Sequence, residues 1–254
     1  MCRHLGYLGV PRAPAELVLD APHSLLRQSY APADMRAGGT VNADGFGLGW
    51  QTEDGATARY RKPSPIWTDQ SLPELARSLR LGSFVAAVRS GTEGMPVNEA
   101  ACAPFADGPW LFSHNGVVRG WPDSVAPLAE RLPVTDLVRL EAPTDSALLW
   151  ALLRDRLSQG VDPVRAVTDL VTEVEEAAPG SRLNLLLTDG SLLVATAWTH
   201  ALSVLRTDEA VVVASEPLDA DPGWTPVPER HAVIVQREPA YKVEFLPLNA
   251  DRSL

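Results

Sequence analysis

The sequence predicts an α+β protein with two antiparallel sheets packed face to face and helices outside them. Three observations predict this. The apolar segments run strands first, then two helices, then strands again, without the strand–helix alternation of parallel βαβ units. Most of the strands are apolar on both faces, so both faces must be covered. Turn dipeptides of the Asp-Gly and Asn-Gly type recur between them.

Leu5 to Val10 is apolar and glycine-spaced, and reads as a buried strand that Pro11 and Pro14 end. His23 to Tyr30 reads as a short helix and Ala31 to Gly39 as a loop. Asn42-Ala43-Asp44-Gly45 is a turn into a strand through Gln51, and Asp54-Gly55 is a hairpin turn into Ala58-Arg59-Tyr60. Pro73 to Arg80 has helical spacing with Pro in its first turn. Ser83 to Arg89 is a strong buried strand that delivers Arg89-Ser90-Gly91-Thr92 at its end. Trp110 to Val118 reads as a strand broken by a tight Asn115-Gly116 turn, and Asp123 as the cap of a helix to about Arg131. Thr144-Asp145-Ser146 opens the clearest helix, Ala147 to Leu157, and Val161 to Ala178 follows, ended by Pro179-Gly180. The tail is all strand: 183–187, 192–197, 202–205, 210–214, 232–236 and 242–246. No fixed-period repeat and no linker divides the chain, so one domain over residues 1–254 is expected.

Composition narrows the function. A net charge of −10 without a basic run makes nucleic acid and anionic membranes poor partners. No apolar stretch is long enough to span a bilayer and no signal pattern opens the chain, so a cytoplasmic protein is expected. Two cysteines cannot build a disulfide scaffold, and five scattered histidines lack metal-ligand spacing; neither metal nor cofactor is expected. Composition and pattern say nothing about oligomeric state.

Four places join polar side chains to a strand end or helix start: Cys2, Arg89–Thr92, His114-Asn115-Gly116 and Thr144-Asp145-Ser146. Cys2 follows Met1 directly, and trimming of Met1 would give one residue both a thiol and a free α-amine. Such a residue is its own nucleophile–base pair. Acyl transfer also needs an oxyanion hole, for which the Asn115 amide and the Gly116 N–H are candidates. The Arg89 fork suits an α-carboxylate and Asp145 an α-ammonium, so together they would read the glutamyl end of an amide. Taken singly, each has a plainer reading: Cys2 as a small strand residue, Asn-Gly as a hairpin turn, Thr144 or Asp145 as a cap, Arg89 as a solvated charge. His4 reads as packing beside the site, and Cys102 as a small buried residue.

In this order and spacing, Met1-Cys2, Asn42–Gly47, Val88-Arg89-x-x-Thr92, His114-Asn115-Gly116 and Thr144-Asp145-Ser146 resemble the class II glutamine amidotransferases. These belong to the N-terminal-nucleophile hydrolase superfamily. The resemblance covers nearly the whole chain and implies a four-layer α-β-β-α sandwich. It implies Cys2 as nucleophile, Asn115 and Gly116 as oxyanion hole, and Arg89, Thr92, His114 and Asp145 around the glutamyl group. Met1-Cys2-Arg3-His4-Leu5-Gly6-Tyr7-Leu8-Gly9 and Gln28-Ser29-Tyr30-Ala31-Pro32 are similar to the stand-alone branch acting in ergothioneine biosynthesis. That implies hydrolysis of γ-glutamyl-hercynylcysteine S-oxide to glutamate and hercynylcysteine S-oxide. The alternative is a glutaminase subunit feeding ammonia to a separate synthetase. Ser90 and Glu93 depart from the family, many of whose members have an aromatic and a His there; small residues at Ser90 and Gly91 would admit a bulkier amide than that of glutamine. The implied leaving group carries a quaternary ammonium, for which Tyr30, Trp67 and Trp121 are candidate aromatic faces.

Overall fold

A computed structural model describes residues 2–36, 41–238 and 240–248. Met1 and the end of the expected loop at 37–39 lie outside these residues. Among the described residues thirteen strands form two wholly antiparallel sheets. The first has the order β11-β9-β10-β1-β4-β2-β3, built from β1 (Arg3–Arg12), β2 (Phe46–Gln51), β3 (Thr57–Lys62), β4 (Leu81–Val88), β9 (Ser203–Arg206), β10 (Ala210–Ala214) and β11 (Thr225–Pro226). The second has the order β13-β12-β8-β7-β6-β5, built from β5 (Phe105–Asp107), β6 (Trp110–Val117), β7 (Arg182–Thr188), β8 (Leu192–Ala197), β12 (His231–Gln236) and β13 (Lys242–Pro247).

Three separate apolar clusters show four layers. Leu5, Tyr7, Phe84 and Ala86 face α1 (Leu25–Gln28) and α2 (Leu72–Ser78) on one outer side. Phe112, Leu185 and Leu187 face α5 (Asp145–Ser158) and α6 (Pro163–Ala177) on the other. Two short helices, α3 (Ala126–Ala129) and α4 (Val134–Val138), lie between β6 and α5 in the chain. Leu8, Val85, Leu111, Leu186, Leu193 and Val213 fill the space between the sheets. The period-two alternation of a strand assigns these faces: in β1, Leu5 and Tyr7 point outward while Gly6 and Leu8 point inward. Gly6 is required there, because a Cβ would stand 2.6 Å from the Leu193 side chain of the facing sheet. The four-layer sandwich expected from the sequence is the one observed.

Several local expectations are corrected. Asn115-Gly116 is no turn: β6 runs unbroken through it, with Asn115 opposite Asn184 and Gly116 opposite Leu183. β1 continues past Pro11 to Arg12, because the ladder shifts register between Leu8 and Arg12 and makes no demand on a Pro11 N–H. Asp123 caps nothing; it starts a 3-10 turn (Asp123–Val125), and α3 follows. Thr144 caps α5 as expected, its hydroxyl accepting the Ala147 N–H at 3.2 Å.

At one end of the sandwich Arg237, just after β12, rivets the sheets together. Its guanidinium donates to the carbonyls of Gly9 (3.1 Å) and Gly82 (2.8 Å) in the facing sheet and of Gly190 (3.1 Å) in its own. The opposite end holds Cys2. Among the described residues no helix is long and apolar enough to cross a membrane.

Candidate active site

The pairing of Arg3 with Val88 carries Cys2 alongside the segment that follows β4. The Cys2 thiol, half-buried, points at the Ser90 carbonyl 3.7 Å away. Arg3 fixes it from the other side. The Arg3 guanidinium, itself buried, donates to the Cys2 carbonyl at 3.0 Å, to Glu216 Oε1 at 2.8 Å and to the Asp34 carbonyl. Glu216 is buried too, and its other oxygen accepts from His23 Nε2 at 2.6 Å and from the Ala33 N–H at 2.8 Å. A buried charge is tolerable only when paired and hydrogen-bonded like this. The nucleophile candidate therefore sits on a rigid clamp.

Cys2, Arg89, His114 and Ser146 line one cavity of about 30 Å³, walled by Phe46, Ala101, Ala103 and Phe105. Arg89 is 9% exposed and forms no ion pair among the described residues; the one hydrogen bond of its guanidinium there is long, 3.4 Å, to the Asp44 carbonyl. The turn predicted at Asn42–Gly45 holds it there: the Asp44 N–H donates to the Arg89 carbonyl at 3.0 Å, the Arg89 N–H donates to the Gly45 carbonyl at 2.7 Å, and the Asp44 carboxylate accepts the Gly91 N–H at 2.8 Å. Gly45 has φ +131° and packs on the Cys102 sulfur, which a Cβ would meet at 2.3 Å. Cys102 is thus structural; burial pushes its thiol up to about 11, so it stays protonated.

His114 and Gly116 share the outer face of β6. His114 Nε2 donates to the Arg182 carbonyl at 2.9 Å, and its Nδ1 is hydrogen-bonded with the Ser146 hydroxyl, also at 2.9 Å. Gly116 makes room for this: a Cβ there would stand 1.8 Å from the Arg182 oxygen and 2.5 Å from His114 Nε2. Asn115 faces inward, between the sheets, and 1% of it is exposed. Its Nδ2 makes one long bond, 3.4 Å, to Ser215 Oγ, and its Oδ1 has no partner among the described residues. It lines a second, smaller cavity with Arg3, Ser215 and His200. Asp145 stands behind Ser146, off the first cavity's wall. Its carboxylate accepts the N–H groups of Val118 (3.0 Å) and Ser146 (2.7 Å). Thr92 lies exposed on the loop after Arg89 and lines neither cavity.

Two histidines complete this end. His4 is fully buried between the sheets, with Nδ1 3.1 Å from Ser113 Oγ and Nε2 without a partner among the described residues. His200 is 2% exposed and neither ring nitrogen has one. Burial, reinforced for His4 by His114 and for His200 by Arg182, pulls each down to about 3, so both are neutral near pH 7. His4 packs beside the site, as its strand position implied. Sequence reasoning missed Ser146 as a wall residue, the Arg3–Glu216 clamp and His200. In the sequence Ser146 reads as part of a helix start, and Glu216 and His200 carry no local signal.

The sequence and the fold are matched by known proteins. The model of the class II glutamine amidotransferases matches residues 20–208. The chain belongs to this family. It is 46% identical over 237 residues to the gamma-glutamyl-hercynylcysteine sulfoxide hydrolase of Mycolicibacterium smegmatis, covering 93% of this chain and 96% of that protein. The enzyme of the same name from Mycobacterium tuberculosis is 44% identical, covering 94% of each. Among solved structures, a glutamine aminotransferase class-II domain protein from Silicibacter pomeroyi superposes with a TM-score of 0.68 over 98% of this chain and 100% of that one, at 22% identity. Glutamine phosphoribosylpyrophosphate amidotransferase from B. subtilis gives 0.66 over 98% and 50%, at 15% identity. These two share the fold. As a class II amidotransferase the chain is an N-terminal-nucleophile hydrolase, and its sandwich is that superfamily's.

Proposed function

We propose that this amidotransferase hydrolyses the γ-glutamyl amide of γ-glutamyl-hercynylcysteine S-oxide, releasing glutamate and hercynylcysteine S-oxide, through a glutamyl-thioester on Cys2. One observation carries the reading: the Cys2 sulfur shares a cavity with a buried guanidinium, Arg89, that has no carboxylate partner among the described residues. A charge so placed calls for an anion, and the glutamyl α-carboxylate supplies one. The names and high identity of the mycobacterial relatives support the same substrate.

In this reading Met1 is removed and the Cys2 amine takes the thiol proton. The thiolate attacks the γ-carbonyl. The unused N–H of Asn115 and the Gly116 backbone stabilise the oxyanion. The Cys2 ammonium protonates the leaving nitrogen as the C–N bond breaks. Water, activated by the same amine, then cleaves the thioester and frees glutamate. Asp145, with both oxygens oriented by backbone N–H groups, takes the α-ammonium beyond Ser146. A cavity of about 30 Å³ holds one water. Admission of the glutamyl group therefore requires the loop between β4 and β5, which supplies Ala101 and Ala103, to move outward.

The test is Cys2→Ala. Glutamate release and the glutamyl adduct seen by mass spectrometry are both expected to vanish, while the melting temperature holds; retained hydrolysis would refute the assignment. Turnover of free glutamine matching that of the sulfoxide conjugate would favour an ammonia-supplying subunit instead.

A further inference from the structure

The cavity that holds Asn115 does not end there. Its wall residues Asp34, Arg36, His200, Ser215 and Glu216 also line a groove of about 690 Å³, which continues outward past Asp219 and Glu229. The groove is many times larger than the cavity beside Cys2 and Arg89. In the reading above the carbonyl lies against Asn115 and the acyl half lies on the Arg89 side, which leaves this groove to the amine half.

The charges of the groove are uneven. Asp34 is paired with Arg36 at 2.6 Å, and Glu216 with Arg3 and His23. Asp219 and Glu229 line the groove with no ion-pair partner among the described residues. Their contacts are to neutral groups: Asp219 accepts from Trp224 Nε1 at 2.8 Å, and Glu229 from the Thr199 N–H at 2.9 Å. His200, on the wall of both cavities, is 2% exposed with both ring nitrogens unpartnered among the described residues. A buried imidazole costs free energy unless its donor and acceptor are used. Being neutral, it offers one of each and repels no cation.

We propose that this groove is the subsite for the amine half of the substrate, that Asp219 and Glu229 select an amine bearing a fixed positive charge, and that His200 hydrogen-bonds a polar oxygen near the scissile nitrogen. The proposal deepens the γ-glutamyl amidohydrolase reading and rests on it. Recognition is by carboxylates and not by aromatic faces. Tyr30 and Trp67 pack edge to face on each other at 5.9 Å, Trp121 packs against the helix-side core, and none of the three lines the groove.

The experiment compares two γ-glutamyl conjugates: the hercynylcysteine S-oxide, and an S-alkylcysteine S-oxide that keeps the sulfoxide but lacks the quaternary ammonium. The double variant Asp219→Asn/Glu229→Gln keeps an accepting oxygen at each position and removes the charge. KM for the cationic conjugate is expected to rise about fivefold with kcat held, and KM for the neutral conjugate by less than about twofold. In the wild-type enzyme, 0.5 M NaCl should erode the preference for the cation, a readout that needs no variant. His200→Ala should raise KM for both conjugates, since both keep the sulfoxide. Parallel rises in the carboxylate variant, or a preference indifferent to salt, would overturn the subsite alone. Wild-type enzyme that releases glutamate from neither conjugate would overturn the parent reading with it.

Discussion

The space between the sheets has two halves built by the same strands. Toward the Arg237 end, inward positions of β1, β4, β6 and β7 are Leu8, Val85, Leu111 and Leu186, all fully buried and mutually packed. Toward the Cys2 end, inward positions of β1, β6 and β7 are His4, Ser113, Asn115 and Asn184, equally buried. There, side-chain atoms of His4, Asn115 and His200 lack partners among the described residues. The first half stabilises the sandwich; the second holds polar groups whose hydrogen bonds are left unmade. Polar groups kept buried and unspent are costly to fold and are what an active site needs.

The sharpest test of this contrast is Gly116→Ala. The added Cβ cannot coexist with the Arg182 carbonyl, so β6 and β7 must part and His114 must lose its bond. A loss on the order of 4 kcal/mol in unfolding free energy is expected, with activity lost as well. In the apolar half, Leu186→Ala should cost about 3 kcal/mol in denaturant unfolding and leave kcat and KM alone. Asn115→Ala should do the reverse: kcat about 100- to 1000-fold lower, unfolding free energy changed by less than about 1 kcal/mol because its one bond is long. If the two variants behave alike, the division between the halves is wrong.

Acid gives the most diagnostic effect. His4 and His200 sit at about 3 when folded and near 6.5 when unfolded. The unfolded chain takes up protons first, so stability is full above about pH 6.5 and falls as pH drops toward 3. A loss on the order of 4 kcal/mol between pH 7.5 and 5, about 2 from each ring, is expected from unfolding curves, and His200→Gln should remove about half of it.

The layers were legible because alternation and turn chemistry are local. Thr144 caps its helix, and Asn42–Gly45 makes the turn that seats Arg89. Asn115-Gly116 misled because the dipeptide favours a turn in isolation, whereas here pairing with β7 overrides it; the glycine serves a neighbouring ring. β5, three residues long, and α4, five, were too short to show a period. Cys2, Arg89 and His114 lie on separate segments of the sequence, each legible by its own chemistry, and they meet in one cavity. Thr92 does not join them. The groove could not be read at all: its wall comes from four loops, around Asp34, His200, Glu216 and Glu229, that only the sandwich brings together.

The Arg237 guanidinium joins both sheets at the end away from Cys2. A sandwich pinned at one margin opens like a clothes-peg, jaws first. Thermal breathing should therefore be felt around the nucleophile before it reaches the spring, so that amide exchange in the first residues of β1 runs ahead of exchange near Gly9.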